Sequence, residues 1–484
     1  MREVTINPIT RLEGHGKITI FLNEQGNVEN AYLQIPELRG FERFCVGRKA
    51  EDMPQLTSRI CGVCPVAHHM AGTKTLDAAF NVEPPSAAKK LRELMYCGYV
   101  IEDHTLHFFY LGGPDFIVGP DAPPEKRNIL GIIEKAGLEI GKEIIKHRAY
   151  GQRIIEIIGG KAIHPACGLP GGISKPLREE DRQEIEKMAT SCVEFVKRSL
   201  KLFHDIVLGN ENYVEMIKSD AYTLKTYYMG LVDEDNNVNF YDGKVRVVDP
   251  NGNEFLKFAP KDYLNHINER VEEWTYVKMP YLKKVGWKGF VDGSDSGVYR
   301  VGPLGRLNAA DGMATPSAQE EYEIMYKTLG GKPVHSTLAF HWARLIEILY
   351  AAERAVELSK DPEITSKEVR NLPGKPGEGV GIVEAARGTL IHHYVLDEDA
   401  LIKNVNLIVA TTNNYPAICM SIRDAAKGLI HSGKVSEGLL NRVEMAFRAY
   451  DPCFACASHF AIGQMPLTFE IYNHEKKLLE RLQR

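Results

Sequence analysis

The 484-residue sequence has no run of 18 or more apolar residues and no excess of basic charge. Without such a run, no segment is expected to span a bilayer. With a formal net charge of −5 at pH 7, the chain lacks the positive surface on which nucleic-acid binding depends. Its first residues carry neither the apolar core of a secretory signal nor a twin-arginine signal. We therefore expect a cytoplasmic protein, unless a partner subunit carries an export signal for both.

Cysteine is also scarce, with nine residues in the whole sequence. An odd and sparse set argues against a disulfide framework, which is typical of small secreted domains. Five of the nine stand alone, and we interpret them as buried thiols, because free cysteine is among the most buried residue types. The other four form two Cys-x-x-Cys pairs, Cys61/Cys64 and Cys453/Cys456.

Hydrophobic periodicity predicts an α+β fold that is predominantly helical, with a central bundle of long helices and small peripheral antiparallel sheets. Long helical patterns cover 86–111, 127–158, 178–208 and 336–358. The pattern of residues 17–35 predicts a β-hairpin.

Residues 220 to 300 form a predicted β-rich insertion, with short strands at Val238–Phe240 and Lys244–Val248. No repeat, low-complexity tract or clear linker divides the sequence, and the two cysteine pairs lie near its opposite ends. We therefore expect residues 1–459 to form a single multi-lobed body.

The two cysteine pairs predict a metal centre, because a spacing of two residues lets both thiolates of a pair turn toward one ion. A histidine follows each pair, at His68 and His459, and could supply a hydrogen bond to sulfur or a further ligand. A structural zinc site with four cysteines is the alternative. Zinc ribbons place their pairs about 15–20 residues apart, whereas 388 residues separate Cys64 from Cys453. The spacing favours a redox-active centre and leaves zinc open.

The residues around these pairs resemble a known family. Arg-x-Cys-Gly-x-Cys-x-x-x-His, ending at His68, and Asp-Pro-Cys-x-x-Cys-x-x-His, ending at His459, are similar to the two signatures of the nickel-iron hydrogenase large, catalytic subunit. The resemblance runs from end to end and implies that family's fold and its reaction, H2 ⇌ 2H⁺ + 2e⁻. It also argues strongly against zinc. Further family-like stretches are Ile9–His15, Arg39–Glu42, Asp103–Phe108, Ile163–Pro165 and Pro170–Gly172.

The resemblance implies a nickel ion bound by all four thiolates. Cys61 and Cys453 would be terminal ligands, while Cys64 and Cys456 would bridge to an iron that carries carbon monoxide and cyanide. Soft thiolates suit a redox-active late metal. His68 would donate a hydrogen bond to the sulfur of Cys64.

Arg387 and Thr411 match the family positions that contact cyanide, although Thr411 could also be an ordinary turn residue. The iron pocket departs from the family pattern at Ala386 and Ala410, where proline is common, and at Asn413, where tryptophan is frequent. These departures put the details of the iron pocket in doubt and leave the four-cysteine site standing.

Splitting H2 releases protons, and a base must take them up. Cys453 is the preferred base, because the alternative, Arg387, stays protonated in proteins. Asp103 and Asp451 are expected to shape the electrostatics together with Arg387, although Asp451 could equally cap the turn before its proline. Glu13 is the predicted first proton relay, since a carboxyl group can both accept and donate a proton. A buried salt bridge between Glu13 and an arginine is the alternative.

The resemblance implies a second metal site, for magnesium or iron, formed by Glu42, the backbone carbonyl of Leu407 and His459. Mg²⁺ prefers octahedral oxygen ligands and keeps several waters, so three protein ligands are a reasonable share.

Residues 460–484 match an extension that a maturation endopeptidase removes in this family after nickel insertion. We expect an uncleaved chain to lack part or all of its nickel. Within the extension, residues 473–482 are predicted to form a short surface helix.

The isolated cysteines cannot hold an iron-sulfur relay, so electrons require a partner. The resemblance implies a hydrogenase small subunit with iron-sulfur clusters. The sequence of residues 459–467 is similar to that of the cytoplasmic groups of this hydrogenase family. In those groups, flavin and iron-sulfur subunits of the diaphorase type reduce NAD(P), ferredoxin or a similar carrier.

Two further alternatives share the fold. A respiratory complex I subunit would lack the cysteine signatures, which are present here. A hydrogen-sensing regulator would generally lack the removable extension.

Overall fold

The computed structural model describes residues 2–459, 468–472 and 478–483. Two predictions concern residues outside these ranges. One is the similarity of residues 460–467 to the cytoplasmic hydrogenase groups. The other is the first half, 473–477, of the expected surface helix.

The helices of the described chain are α1 Phe41–Cys45, α2 Met53–Ser58, α3 Pro65–Ala79, α4 Ser86–Leu106, α5 Pro114–Ile117, α6 Ile129–Ala136, α7 Leu138–Gly159, α8 Glu179–Phe203, α9 Glu211–Lys218, α10 Tyr263–His266, α11 Gly302–Ala309, α12 Pro316–Leu329, α13 Phe340–Lys360, α14 Ala410–Leu429, α15 Glu437–Arg448 and α16 Phe454–Ala457. The strands are β1 Arg2–Ile6, β2 Lys17–Leu22, β3 Val28–Gln34, β4 Gly168–Leu169, β5 Gly172–Ile173, β6 Tyr227–Val232, β7 Lys244–Val248, β8 Glu254–Phe258, β9 Ile267–Arg270, β10 Met279–Leu282, β11 Tyr299–Arg300, β12 Glu378–Ala385, β13 Gly388–Leu396, β14 Ile402–Ile408, β15 Thr468–Tyr472 and β16 Leu478–Gln483.

Helices α4, α7, α8 and α13 form the predicted central bundle, in which α13 packs against both α4 and α8. Most side chains of α4 and α13 are buried, including charged ones such as Arg92 and Glu347. A helix surrounded on most sides must find partners for such charges on its neighbours. This packing confirms the predominantly helical α+β fold.

The four long helical patterns are present with altered boundaries. Residues 127–158 form two helices, because Gly137 at φ 95° ends α6 and starts α7. A residue with a side chain rarely adopts that backbone conformation, so glycine breaks the pattern there. Helices α4 and α8 each continue into a short π-helical turn, at His107–Gly112 and His204–Leu208. The last pattern begins with a 3₁₀ turn before α13.

The sheets are small, as predicted, but they are not all peripheral, because β13 is buried along almost its whole length. Strands β1–β2–β3 form an antiparallel sheet that contains the expected hairpin. The β-rich insertion contributes β11–β6–β7–β8, in which β11 runs parallel to β6. Strands β12–β13–β14 form a third, antiparallel sheet that packs on α3. This third sheet positions part of the functional site.

The strand predicted at Val238–Phe240 is wrong. Val238 forms only an isolated bridge with Val232, and the chain then turns. The side-chain oxygen of Asn239 accepts hydrogen bonds from the amides of Tyr241 and Asp242, each at 2.9 Å. Asparagine side chains favour such turns over a strand ladder.

The surface helix predicted at 473–482 is also corrected. Its described part, from residue 478, belongs to β16, which pairs antiparallel with β15. The backbone groups of this segment find their hydrogen-bond partners in the neighbouring strand instead of within a helix. Throughout the described chain, no helix combines the length and the apolar character that a membrane crossing would need.

Candidate metal centre

The two cysteine pairs lie on different elements that the fold brings together. Cys64 immediately precedes α3, with Pro65 in the first turn of that helix, and Cys453 immediately precedes the short helix α16. All four cysteines are buried. Both pairs therefore face a common interior space.

The four sulfur atoms form one buried cluster. One side-chain donor atom from each cysteine lies within 4.8 Å of the other three. The Sγ atoms are 3.5 Å apart for Cys61 and Cys453 and 3.7 Å apart for Cys64 and Cys456. Those of Cys453 and Cys456 are 2.50 Å apart. Within the described part of the chain, this is the only group of three or more His, Cys, Asp and Glu side chains spaced to bind one ion.

The two thiols of the first cysteine pair differ in acidity. The hydrogen bond with Cys64 lowers the pKa of Cys61. The same hydrogen bond, together with burial, raises the pKa of Cys64. One thiol of the pair is thus set up to ionise before the other, as expected for sulfurs that share a site.

Glu13 lies directly against Cys453. Its Oε2 atom is 2.9 Å from the Cys453 sulfur and accepts a hydrogen bond of 3.2 Å from the amide of Ala455. The backbones also meet, because Glu13 and Cys453 form a parallel bridge and the amide of Phe454 donates to the Glu13 carbonyl at 3.0 Å. Burial raises the pKa of Glu13. A carboxyl group is therefore held at the sulfur in a setting that favours its protonated form.

Arg387 sits between two buried carboxylates. It donates to both oxygens of Asp103, at 3.0 and 3.1 Å, and forms an ion pair with Asp451 at 3.0 Å. Although burial alone would lower the pKa of Arg387, the two carboxylates raise it well above its usual range. Burial raises the pKa of Asp451 to about 7. The Arg387 guanidinium therefore stays charged.

Sequence reasoning missed the residues that hold Arg387 in place. Arg387 lies in the two-residue turn between β12 and β13. Tyr99 accepts a hydrogen bond from the amide of Ala386 at 3.1 Å, and Arg306 donates to the carbonyl of Ala385 at 2.8 Å. Arg306 is itself held by two fully buried glutamates, at 2.6 and 2.8 Å. An arginine inside a helix gives no local sequence signal for this role, since its partners come from distant elements.

His68 is fully buried, but its ring does not bond to sulfur among the described residues. Its Nδ1 atom lies 3.2 Å from Nε2 of His392, and its own Nε2 atom has no hydrogen-bond partner there. Burial lowers the pKa of His68 to about 3, so the ring is neutral. The expected hydrogen bond to Cys64 is thus absent from this geometry, although an unpaired ring nitrogen is present.

Thr411 lies in the first turn of α14, and its hydroxyl accepts a hydrogen bond from the Cys453 amide at 3.0 Å. The side chain therefore fixes the backbone of the second cysteine pair.

The three residues of the predicted second metal site, Glu42, Leu407 and His459, are all buried. Glu42 accepts a hydrogen bond from the amide of Leu407 at 2.8 Å, and the ring of Phe41, next to Glu42, contacts the ring of His459. Both ring nitrogens of His459 are buried and have no hydrogen-bond partner among the described residues. Burial raises the pKa of Glu42 to about 7, even with Lys278 at 3.9 Å. A buried carboxylate and unpaired buried ring nitrogens are groups that a bound cation would satisfy.

The donor chemistry of the main cluster fits nickel and iron. Four buried sulfurs within one coordination sphere are soft ligands, which suit redox-active late metals. Arg387 offsets the charges of Asp103 and Asp451 beside the cluster, and such compensation is how a buried ionic site is tolerated.

Comparison with known proteins agrees with this geometry. The family model described as nickel-dependent hydrogenase matches residues 39–122 and 143–459. The chain belongs to the nickel-dependent hydrogenase family. A second family model, described as HoxL-like, matches residues 3–38.

Several relatives span nearly the whole chain. An F420-non-reducing hydrogenase iron-sulfur subunit of Archaeoglobus profundus is 49% identical, over 100% of this chain and 99% of its own length. The NAD-reducing hydrogenase HoxS subunit beta of Cupriavidus necator is 38% identical, over 99% of each chain. A solved NAD⁺-reducing [NiFe]-hydrogenase in the H2-reduced state has a TM-score of 0.89 and 39% identity, over 95% of this chain and 100% of its own.

This chain is therefore the catalytic large subunit of a nickel-dependent hydrogenase, an oxidoreductase that acts on hydrogen. The predictions of family, fold and enzyme class are confirmed. The roles of individual site residues stay predictions.

Proposed function

We propose that this hydrogenase subunit oxidises H2 reversibly at a nickel-iron pair held by Cys61, Cys64, Cys453 and Cys456, with carbon monoxide and cyanide on the iron. The observation that carries the proposal is the meeting of all four sulfurs within 4.8 Å. Nickel and iron would supply the redox centre that takes the two electrons of H2. The residues of the chain would manage the two protons.

The proton route begins at Cys453 and continues through Glu13. The 2.9 Å contact between sulfur and carboxyl oxygen allows direct transfer. The raised pKa of Glu13 supports this role, since a relay must hold a proton near neutral pH. Arg387 is an unsuitable base, because its two carboxylate partners keep it protonated. We assign Arg387, Asp103 and Asp451 to electrostatic control of the site.

Around the iron, His68 and Thr411 complete the proposed environment. The unpaired Nε2 atom of His68 could donate to a sulfur once the metals set the sulfur positions. Thr411 contributes through its hydrogen bond to the Cys453 amide. A magnesium or iron ion at Glu42, Leu407 and His459 would then anchor the last described residues of the main body.

Electrons must leave through a partner. The five remaining cysteines are buried, and burial raises the pKa of each. In residues 2–459, which contain all nine cysteines, no second group is spaced to hold a metal. We infer a small subunit with iron-sulfur clusters, and flavin and iron-sulfur subunits that pass electrons to NAD(P) or ferredoxin. Relatives named as NAD-reducing and F420-non-reducing hydrogenase subunits support a multi-subunit enzyme.

We also propose that an endopeptidase removes residues 460–484 after nickel insertion. The family match that ends at residue 459 supports this boundary. Intact mass spectrometry of the chain from nickel-replete cells should find a species that ends at His459, whereas nickel-starved cells should yield the full chain. The full chain with bound nickel in both samples would contradict cleavage.

The metal centre is tested by Cys456→Ser, with Cys192→Ser as a matched control in helix α8, outside the site. We expect the wild-type complex and Cys192→Ser to contain nickel and iron and to reduce a viologen dye with H2. Cys456→Ser should lose both properties, because a hydroxyl oxygen is a poor substitute for a soft thiolate ligand. Full H2 uptake by Cys456→Ser, or zinc in place of nickel and iron in the wild type, would overturn the proposal.

A further inference from the structure

A largely buried ionic cluster outside the metal centre, in which only Arg11 is partly exposed, joins the two segments that meet there. We call it the Asp115 cluster, and it consists of Arg11, Asp115, Glu444 and Arg448. One oxygen of Asp115 pairs with Arg11 at 2.5 Å, and the other pairs with Arg448 at 2.7 Å. Arg448 also pairs with Glu444 at 2.7 Å. Two positive and two negative charges balance, which is the condition for keeping such groups buried.

The cluster fixes the backbone on both sides. Thr10 donates to Glu444 from its amide at 3.0 Å and from its hydroxyl at 2.8 Å. Arg11 donates to the carbonyl of Leu111 at 2.9 Å and to the side chain of Asn441 at 2.9 Å. The chain just before Glu13 is therefore tied to helix α15, which leads to Cys453.

Both tied segments carry backbone conformations that need support. Arg11 and Asp451 each have φ 57°, a region that residues with side chains rarely adopt. Such residues persist when the surrounding structure holds them in place. The two segments also approach closely, since a Cβ atom added at Gly14 would lie 2.7 Å from the amide nitrogen of Ala455. Small shifts in either segment would therefore change the contact between Glu13 and Cys453.

We propose that Asp115 is a positioning residue, which holds Arg11 and Arg448 on one carboxylate and so sets the alignment of Glu13 with Cys453. Arg11 lies two residues before Glu13, and Arg448 lies five residues before Cys453, so both anchors are close to the aligned pair. Burial alone would raise the pKa of Asp115, but the two arginines lower it, so the carboxylate stays charged. The functional consequence rests on the proposed proton route through Glu13.

The alignment is tested first without metals, by hydrogen-deuterium exchange of the metal-free chain. Asp115→Asn removes the charge and one strong acceptor. Asp121→Asn is the matched control, because Asp121 forms an exposed ion pair with Arg442 of the same helix α15. We expect the amides of residues 12–14 and 453–456 to exchange at least tenfold faster in Asp115→Asn and at the wild-type rate in Asp121→Asn. Unchanged exchange in these two segments, or equal acceleration along the whole chain, would overturn the positioning role.

Kinetics of the assembled enzyme give the second measurement. In Asp115→Asn we expect kcat for H2 oxidation to fall about tenfold or more while KM for H2 stays constant, since access of H2 is untouched. Asp115→Glu should recover part of kcat by keeping the charge. If Asp115→Asn does not fold, Arg11→Lys tests the same link, because lysine keeps the charge but cannot reach both partners. A rise in KM with unchanged kcat would contradict the inference.

The two proposals can fail separately. If Glu13→Gln retained full turnover, the proton route would be wrong, whereas the exchange experiment would still decide whether Asp115 aligns the two segments.

Discussion

Replacing Arg387 by lysine tests how much the metal centre depends on a forked cation. Arg387 reaches both oxygens of Asp103 and one of Asp451, and all three contacts lie at 3.0–3.1 Å. Lysine keeps the positive charge but presents one nitrogen on a flexible stem. It can hold one carboxylate at bonding distance in this geometry and must leave the other without its partner.

The expected cost follows from the lost contacts. Hydrogen bonds to charged groups contribute roughly 1.5–3 kcal/mol each. If two of the three are lost, Arg387→Lys destabilises the protein by about 3 kcal/mol at the lower figure. The entropy of unfolding per residue makes about 1 kcal/mol equivalent to about 1 °C for a chain of 484 residues. We therefore expect Tm to fall by about 3 °C.

H2 oxidation should fall by more than the loss of folded protein explains, because the unpaired carboxylate changes the charge beside the metal centre. A loss of about 3 kcal/mol in the transition state corresponds to roughly a hundredfold lower rate. Viologen reduction by H2 measures the rate, and calorimetry of the same preparation measures Tm.

Arg354→Lys is the matched control. Arg354 contacts both oxygens of Glu93, at 2.8 and 3.3 Å, but its side chain is 34% exposed. Solvent screening limits such a pair to about 1 kcal/mol or less. Equal effects of the two substitutions on Tm and on rate would show that burial does not strengthen the contacts of Arg387.

Three further predictions concern single carboxyl and imidazole groups. Glu13→Gln should lower H2 oxidation at least a hundredfold while nickel content stays at the wild-type level, because glutamine cannot relay a proton. Glu29→Gln, at the exposed position of β3, is the control. Wild-type turnover in Glu13→Gln would contradict the relay. Burial raises the pKa of Glu102 to about 7. The folded protein therefore favours the protonated carboxyl, and it loses stability as pH rises from about 4.5 through about 7. The loss is at most about 3 kcal/mol. Glu102→Gln removes the pH-dependent loss of stability, so the Tm of the variant minus that of the wild type should increase between pH 5 and pH 8. A Tm difference that does not vary with pH would argue against a raised pKa of Glu102. His459→Ala should lower the magnesium or iron content of the complex by one ion per chain, measured by elemental analysis with nickel as internal reference; an unchanged content would exclude this histidine as a ligand.

Patterns within short stretches of sequence were enough to predict the helical body, the N-terminal hairpin and the two cysteine pairs, whereas the meeting of the two pairs at one site was expected from the family resemblance. These features are local: apolar periodicity reflects which face of a helix is buried, and a two-residue spacing between cysteines is enough to aim two thiolates at one ion. The errors were local as well. At Gly137 one residue divided a long helix, and at Asn239 a side chain drew the backbone into a turn.

The way in which the ends of the chain meet became visible only in the folded molecule. The contact of Glu13 with Cys453 joins residues 440 positions apart, and no sequence pattern measures such a distance. The same holds for Arg306, which supports the turn that carries Arg387, and for Asp115, which links Arg11 to Arg448. Buried charges need partners, and those partners come from whichever elements the fold places beside them. Packing of the whole chain therefore sets the electrostatics around four cysteines that the sequence alone already singles out.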